Sequence, residues 1–169
     1  LLNSSDKKLG EIQTFLANKM LLDETVINRE LASQALALLA NDVSALAAAL
    51  AEAEQDQLAF TAELLGVSEE MTALQAGLEA LDPATQQDQI DALNAELALL
   101  DAQRAQIELD ALAASERVGE ISAEADRVQS VQSQAQTELA VLQEDVDGLE
   151  AITGDDNLSL ALVSFLQMF

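Results

Sequence analysis

From Leu36 to Leu81, positions spaced alternately by three and four residues hold Leu, Leu, Val, Leu, Leu, Ala, Gln, Phe, Leu, Val, Met, Leu, Leu and Leu, so thirteen of fourteen are apolar. No step is skipped. An average spacing of three and a half residues keeps one apolar stripe on one side of a slightly underwound helix, whereas a half-buried strand would alternate by two. A seven-residue repeat sustained over this length favours a left-handed coiled coil over the drifting stripe of an ordinary surface helix.

The same rhythm runs from Ile90 to Leu149, where sixteen of eighteen positions are apolar and only Arg104 and Gln132 depart from it. Between the two stripes stands Pro83, the only proline in the 169-residue chain. Proline biases the preceding residue out of helical dihedrals, suits the first position of a new helix, and lacks an N–H that would be unpaired there anyway. Leu81 therefore closes the outgoing stripe, Asp82 is the expected N-cap, and Pro83 starts the returning helix. The chain reverses at this tip and the stripes face each other, Leu81 opposite Ile90, Leu78 opposite Leu93, and so on to Leu22 opposite Leu149. Residue sizes suit that register. Phe60 falls opposite Ala111, Leu46 opposite Ala125 and Leu36 opposite Ala135, an alternation that layered packing prefers. The register is less clean toward the chain ends, where Thr25 meets Val146 and Arg29 meets Leu142.

The expected organisation is a base segment over 1–21, an outgoing coiled-coil helix over 22–82, a returning one over 83–152, and a break with a short apolar helix over 153–169. Leu9, Ile12, Leu16 and Met20 follow a different phase from the main stripe, which predicts a separate or kinked segment after Gly10. Gly154 with the following Asp155, Asp156 and Asn157 breaks the returning helix, and LSLALVSFLQMF at 158–169 reads as a short helix packing with the first segment at the base. The fold class is all-α: a long antiparallel two-helix coiled-coil hairpin with short N- and C-terminal helices at its base, packed into a larger helical assembly.

Composition supports thin interiors. The chain has 31 Leu and 31 Ala against four Phe and no Trp, Tyr, His or Cys, so little is available to fill a thick globular core. Its formal charge of −24, from 31 acids and seven bases, repels phosphate and anionic headgroups. No nucleic-acid partner is expected, and membrane contact only through the C-terminal apolar helix. Catalysis is not expected either, since the sequence has no histidine, cysteine, glycine-rich phosphate loop or nucleophile elbow. No cofactor or metal is predicted. The acidic clusters around Glu52, Glu69 and Glu144 read as solvated helix surface, and TGDDN at 153–157 lacks the spacing of an EF-hand loop.

Two residue sets remain as candidates. The polar seam residues Gln57, Arg104 and Gln132 fix register and oligomer state, with Arg104 able to lift its guanidinium toward Asp101 or Glu108. Leu38, Leu58, Leu65, Leu99, Leu109 and Leu112 lie off the seam and would be wet in a lone hairpin, so they are read as an oligomer face. The expected function is a non-enzymatic spacer, stalk or scaffold whose partners are further copies or other helical subunits. The alternative is the hairpin of an exported or envelope-spanning adaptor or secretion machine, since the layout is similar to the Ala-, Leu- and Gln-rich α-hairpins of periplasmic adaptor proteins. A helical membrane translocator is a third class. An extracytoplasmic, virion or appendage setting is compatible with these readings, though no signal for one is visible in the sequence.

Overall fold

The computed structural model describes residues 2–154, 163 and 167. Two helices account for nearly all of them: α1, Leu2–Glu79, and α2, Gln87–Thr153. They pack against each other as an all-α hairpin, and no strand occurs among the described residues. Alanine, leucine, glutamate and glutamine are strong helix formers, and the single proline lies outside both helices, so nothing interrupts either hydrogen-bond ladder.

The chain clusters into two compact units. A terminal unit comprises Leu1–Asp42 and Val128–Phe169, and a turn unit comprises Val43–Arg127. In the turn unit the expected register appears as cross-helix geometry. A Cβ added at Gly77 would lie 4.0 Å from Leu93 Cδ1, as it should if neighbouring Leu78 faces Leu93. The Arg117 guanidinium lies 3.8 Å from Asp56 Oδ2, next to the layer in which Gln57 faces Ala114. Ala53, Val67, Ile107 and Ala114 are buried there.

The turn itself is built on Asp82. Its carbonyl accepts from the N–H groups of Thr85 at 3.2 Å and Gln86 at 2.9 Å, while its Oδ1 accepts from Ala84 N–H at 2.9 Å. Gln86 returns the favour through Oε1, which accepts from Asp82 N–H at 2.9 Å. Asp82 thus caps a single turn, Pro83–Thr85, and not the long helix. The returning helix begins at Gln87 instead of Pro83, with the Gln86 carbonyl accepting from Gln89 and Ile90 N–H, each at 3.1 Å. The reason is local: the turn closes onto Asp82, and a second cap is needed before the ladder starts.

In the terminal unit, Arg29 Nη1 donates to Gln143 Oε1 at 3.1 Å, one residue beyond the facing Leu142. Leu22, Thr25, Val128 and Val146 are buried, Val146 completely. The separate base segment over 1–21 is not observed. Helix α1 passes through Gly10 without a break, because an interior glycine weakens a helix by only about 1 kcal/mol and a Cβ there would meet nothing within 4 Å. The phase expected for 9–20 is also corrected. Leu9, Leu16 and Met20 are exposed, and the line leading into Leu22 passes through half-buried Phe15 and Asn18, with Ile12 buried beyond them. At the other end, α2 stops at Thr153, and Gly154 N–H donates to Glu150 C=O at 2.8 Å. The acidic part of TGDDN and most of the apolar C-terminal helix lie outside the described residues, as do the pairings expected between the two ends.

Candidate functional site

All thirty-two seam positions expected from 36–81 and 90–149 are buried or half-buried. The three polar ones are handled differently. Gln57 is half-buried and its carbonyl accepts from Thr61 Oγ1 at 2.9 Å. Gln132 is half-buried in the terminal unit. Arg104 turns its guanidinium out of the seam, with Nη2 2.9 Å from Asp101 Oδ1 and Nε 3.6 Å from Glu108 Oε1. At that second distance Nε makes no hydrogen bond, although the atom is buried. Its long aliphatic stem covers the seam while the charge reaches solvent.

Heptad geometry sorts the flanks into two sides. In an antiparallel pair, residues immediately following a seam residue share one side in both helices, and residues immediately preceding one share the other. The Asp56–Arg117 pair joins two preceding positions in the turn unit. In the terminal unit an open groove lined by Glu30, Ser33, Gln136, Ala140 and Gln143 joins following positions. A second groove there, lined by Leu21, Asp145, Gly148 and Ile152, joins preceding ones.

The predicted leucine set is exposed but is not one face. Within the turn unit, Leu58, Leu65 and Leu112 are following residues, Leu99 is a preceding residue, and Leu109 points outward between the two sides. Their exposures are high, 70 % at Leu58, 62 % at Leu65 and 73 % at Leu99. Leu38 precedes Leu39 in the terminal unit, where Leu31 and Val141 are also exposed preceding residues. Grouping all six as one surface overlooked the distinction between before and after a seam position. The interhelical pairs Arg29–Gln143 and Asp56–Arg117 were missed as well. Each lies within one or two residues of a facing layer, so a search of the flanks in the predicted register would have found them.

Glu124 accepts from Arg127 Nε at 2.9 Å and from its Nη2. That hydrogen bonding holds the Glu124 carboxyl below its ordinary range and the Arg127 guanidinium above its own. Both shifts favour the charged forms, the reverse of what a general acid needs. Among the described residues no group of three or more carboxylates is placed to hold a metal ion.

Helix α1 is long and apolar enough to cross a membrane by length and composition alone, its best window having a mean hydropathy of 1.5. Its stretch ALALLANDVSALAAAL, at 35–50, carries Asn41 and Asp42 at the centre, and Leu36, Leu39, Val43, Leu46 and Leu50 are half-buried seam residues. The chain matches no protein-family model, no curated protein and no solved structure.

Proposed function

We propose that the chain is a non-enzymatic structural module, a coiled-coil hairpin that acts as a spacer or scaffold and packs further helices, its own copies or other helical subunits, against its flanks. The observation that carries this reading is the exposure of large apolar side chains at Leu38, Leu58, Leu65, Leu99, Leu109 and Leu112.

Sedimentation equilibrium of the full chain from micromolar to millimolar concentration tests the self-associating form of the proposal. A mass above one chain, lost when the six leucines are replaced by glutamine with helicity unchanged, is the expected result. A strict monomer throughout contradicts it and leaves other helical subunits as the only occupants of these flanks.

A further inference from the structure

We infer that the terminal unit is a clasp, whose two arms part and close again as one cooperative step while the turn unit stays zipped. The inference goes beyond the function proposed above and does not rest on it.

Seam composition sets the weak part. Of the eleven facing layers from Leu46–Ala125 to Leu81–Ile90 in the turn unit, two hold a polar side chain, at Gln57 and Arg104. Of the seven from Leu39–Gln132 to Asn18–Thr153 in the terminal unit, four do. A polar side chain in a seam removes less apolar surface from water than a leucine would, so closure of these layers is driven less strongly.

Their hydrogen bonds do not restore the difference. Thr25 and Thr153 donate to carbonyls of their own helices, at Leu21 and Leu149, so neither bond is made across the hairpin. Arg29 does reach across, but to a neutral group, Gln143 Oε1 at 3.1 Å, and water replaces such a partner at small net cost. Opening the terminal arms therefore forfeits few cross-helix interactions.

Connectivity decides which part can open alone. The turn at Asp82 joins the arms beside the Leu81–Ile90 layer, so the terminal arms can separate without breaking any layer of the turn unit. Opening the turn unit with the terminal unit closed would instead leave Leu39 and Gln132 holding a long loop, whose closure costs entropy. Charge works the other way, since the turn unit is the more acidic, with eighteen acids and three bases against thirteen and four. Nearly all of those carboxylates are exposed, where physiological salt screens interactions beyond about 8 Å. Seam burial outweighs them.

Native-state hydrogen exchange of the full chain, read by mass spectrometry at low micromolar concentration and increasing sub-denaturing urea, tests the clasp. An arm released from its partner loses the packing that sustains its helix in water, so its amides become exchangeable. Amides within 22–39 and 132–149 are expected to share one opening step, with protection about a hundred-fold below that within 50–74 and 97–121. Combining Thr25→Val with Gln132→Leu should raise protection about ten-fold throughout both terminal arms and leave the turn unit unchanged. Equal protection in the two units overturns the inference. So does protection that declines layer by layer toward the ends, which is simple fraying, or a gain in the variant confined to the substituted layers or shared equally by the turn unit.

Discussion

In the turn unit the seam holds two polar residues, Gln57 and Arg104, whereas in the terminal unit it holds Asn18, Thr25, Arg29, Gln132 and Thr153. The same spacing is thus filled in two ways. Three of these terminal-unit residues make hydrogen bonds: Thr25 Oγ1 donates to Leu21 C=O at 2.7 Å, Thr153 Oγ1 donates to Leu149 C=O at 2.8 Å, and Arg29 reaches across to Gln143. A hydroxyl returned to its own helix four residues back can lie in a seam without an orphaned donor. The turn unit relies on apolar layers and on a turn that caps itself. Charge differs too, with eighteen acids and three bases between Val43 and Arg127, against thirteen and four in the remainder. The comparison teaches that heptad spacing alone sets where side chains meet, while the identity of the seam residues sets how strongly each part holds.

The largest expected effect comes from placing a charge in each seam. Leu74→Asp in the turn unit, opposite Leu97, and Val146→Asp in the terminal unit, opposite Thr25, each place an unpaired carboxylate in the seam, at a cost of about 3–5 kcal/mol. Urea denaturation followed by circular dichroism measures it, and equal, negligible losses at both sites would contradict the packing described. Next comes Phe60→Ala. Phe60 is the one aromatic side chain of the turn unit, and it faces Ala111, which cannot fill the gap, so a loss of about 2–3 kcal/mol is expected. A change below the error of the urea midpoint would mean that this layer is not closed.

Glycine substitutions sharpen the comparison at about 1 kcal/mol. A Cβ at Gly66 in the turn unit or at Gly148 in the terminal unit meets nothing within 4 Å, so Gly66→Ala and Gly148→Ala should each stabilise by about that amount. Gly154→Ala should do the opposite, because its Cβ would lie 2.9 Å from the Glu150 carbonyl oxygen. Thermal melts of the three variants read these signs directly. The smallest effect concerns Glu124, whose carboxyl is held below its ordinary 4.5 by Arg127. A lowered folded-state value contributes stability above the unfolded value and loses it as pH falls through the folded one. Replacing Arg127 with glutamine should therefore lower Tm slightly at neutral pH, with the gap to wild type closing in acid. A gap that widens on acidification would reverse the assigned sign.

Much of this fold was legible because one physical signal, apolar side chains every three or four residues, ran unbroken through most of the chain. The positions of Leu36, Val67, Ile107 and Val146 in the seam could be read directly. Legibility failed where the signal came from the wrong residues. Between positions 9 and 20 the more numerous apolar side chains, Leu9, Leu16 and Met20, are the exposed ones, and the buried line includes Asn18, which a search for hydrophobic periodicity rejects. Gly10 resembled a break because glycine is a poor helix former, yet the long ladder on both sides carries it. The start of α2 was placed four residues early, since nothing in Asp82-Pro83 reveals that Gln86 will close the turn and provide the next cap. The candidate flank was half legible. Exposure of its leucines followed from being off the seam, but which of them share a side required knowing whether each stands before or after its seam neighbour.

Chain reversal beside Pro83 underlies every pairing described, and it is tested most directly by the distance between nitroxide labels at Ala51→Cys and Ser122→Cys, diluted with unlabelled chain so that only intramolecular pairs report. The two positions flank the facing seam residues Leu50 and Ile121 within the turn unit. Helices in contact have axes about 8–10 Å apart, so a short, narrow distance distribution is predicted. A distribution centred several-fold farther out would show that the arms of a single molecule do not meet, and would contradict the hairpin.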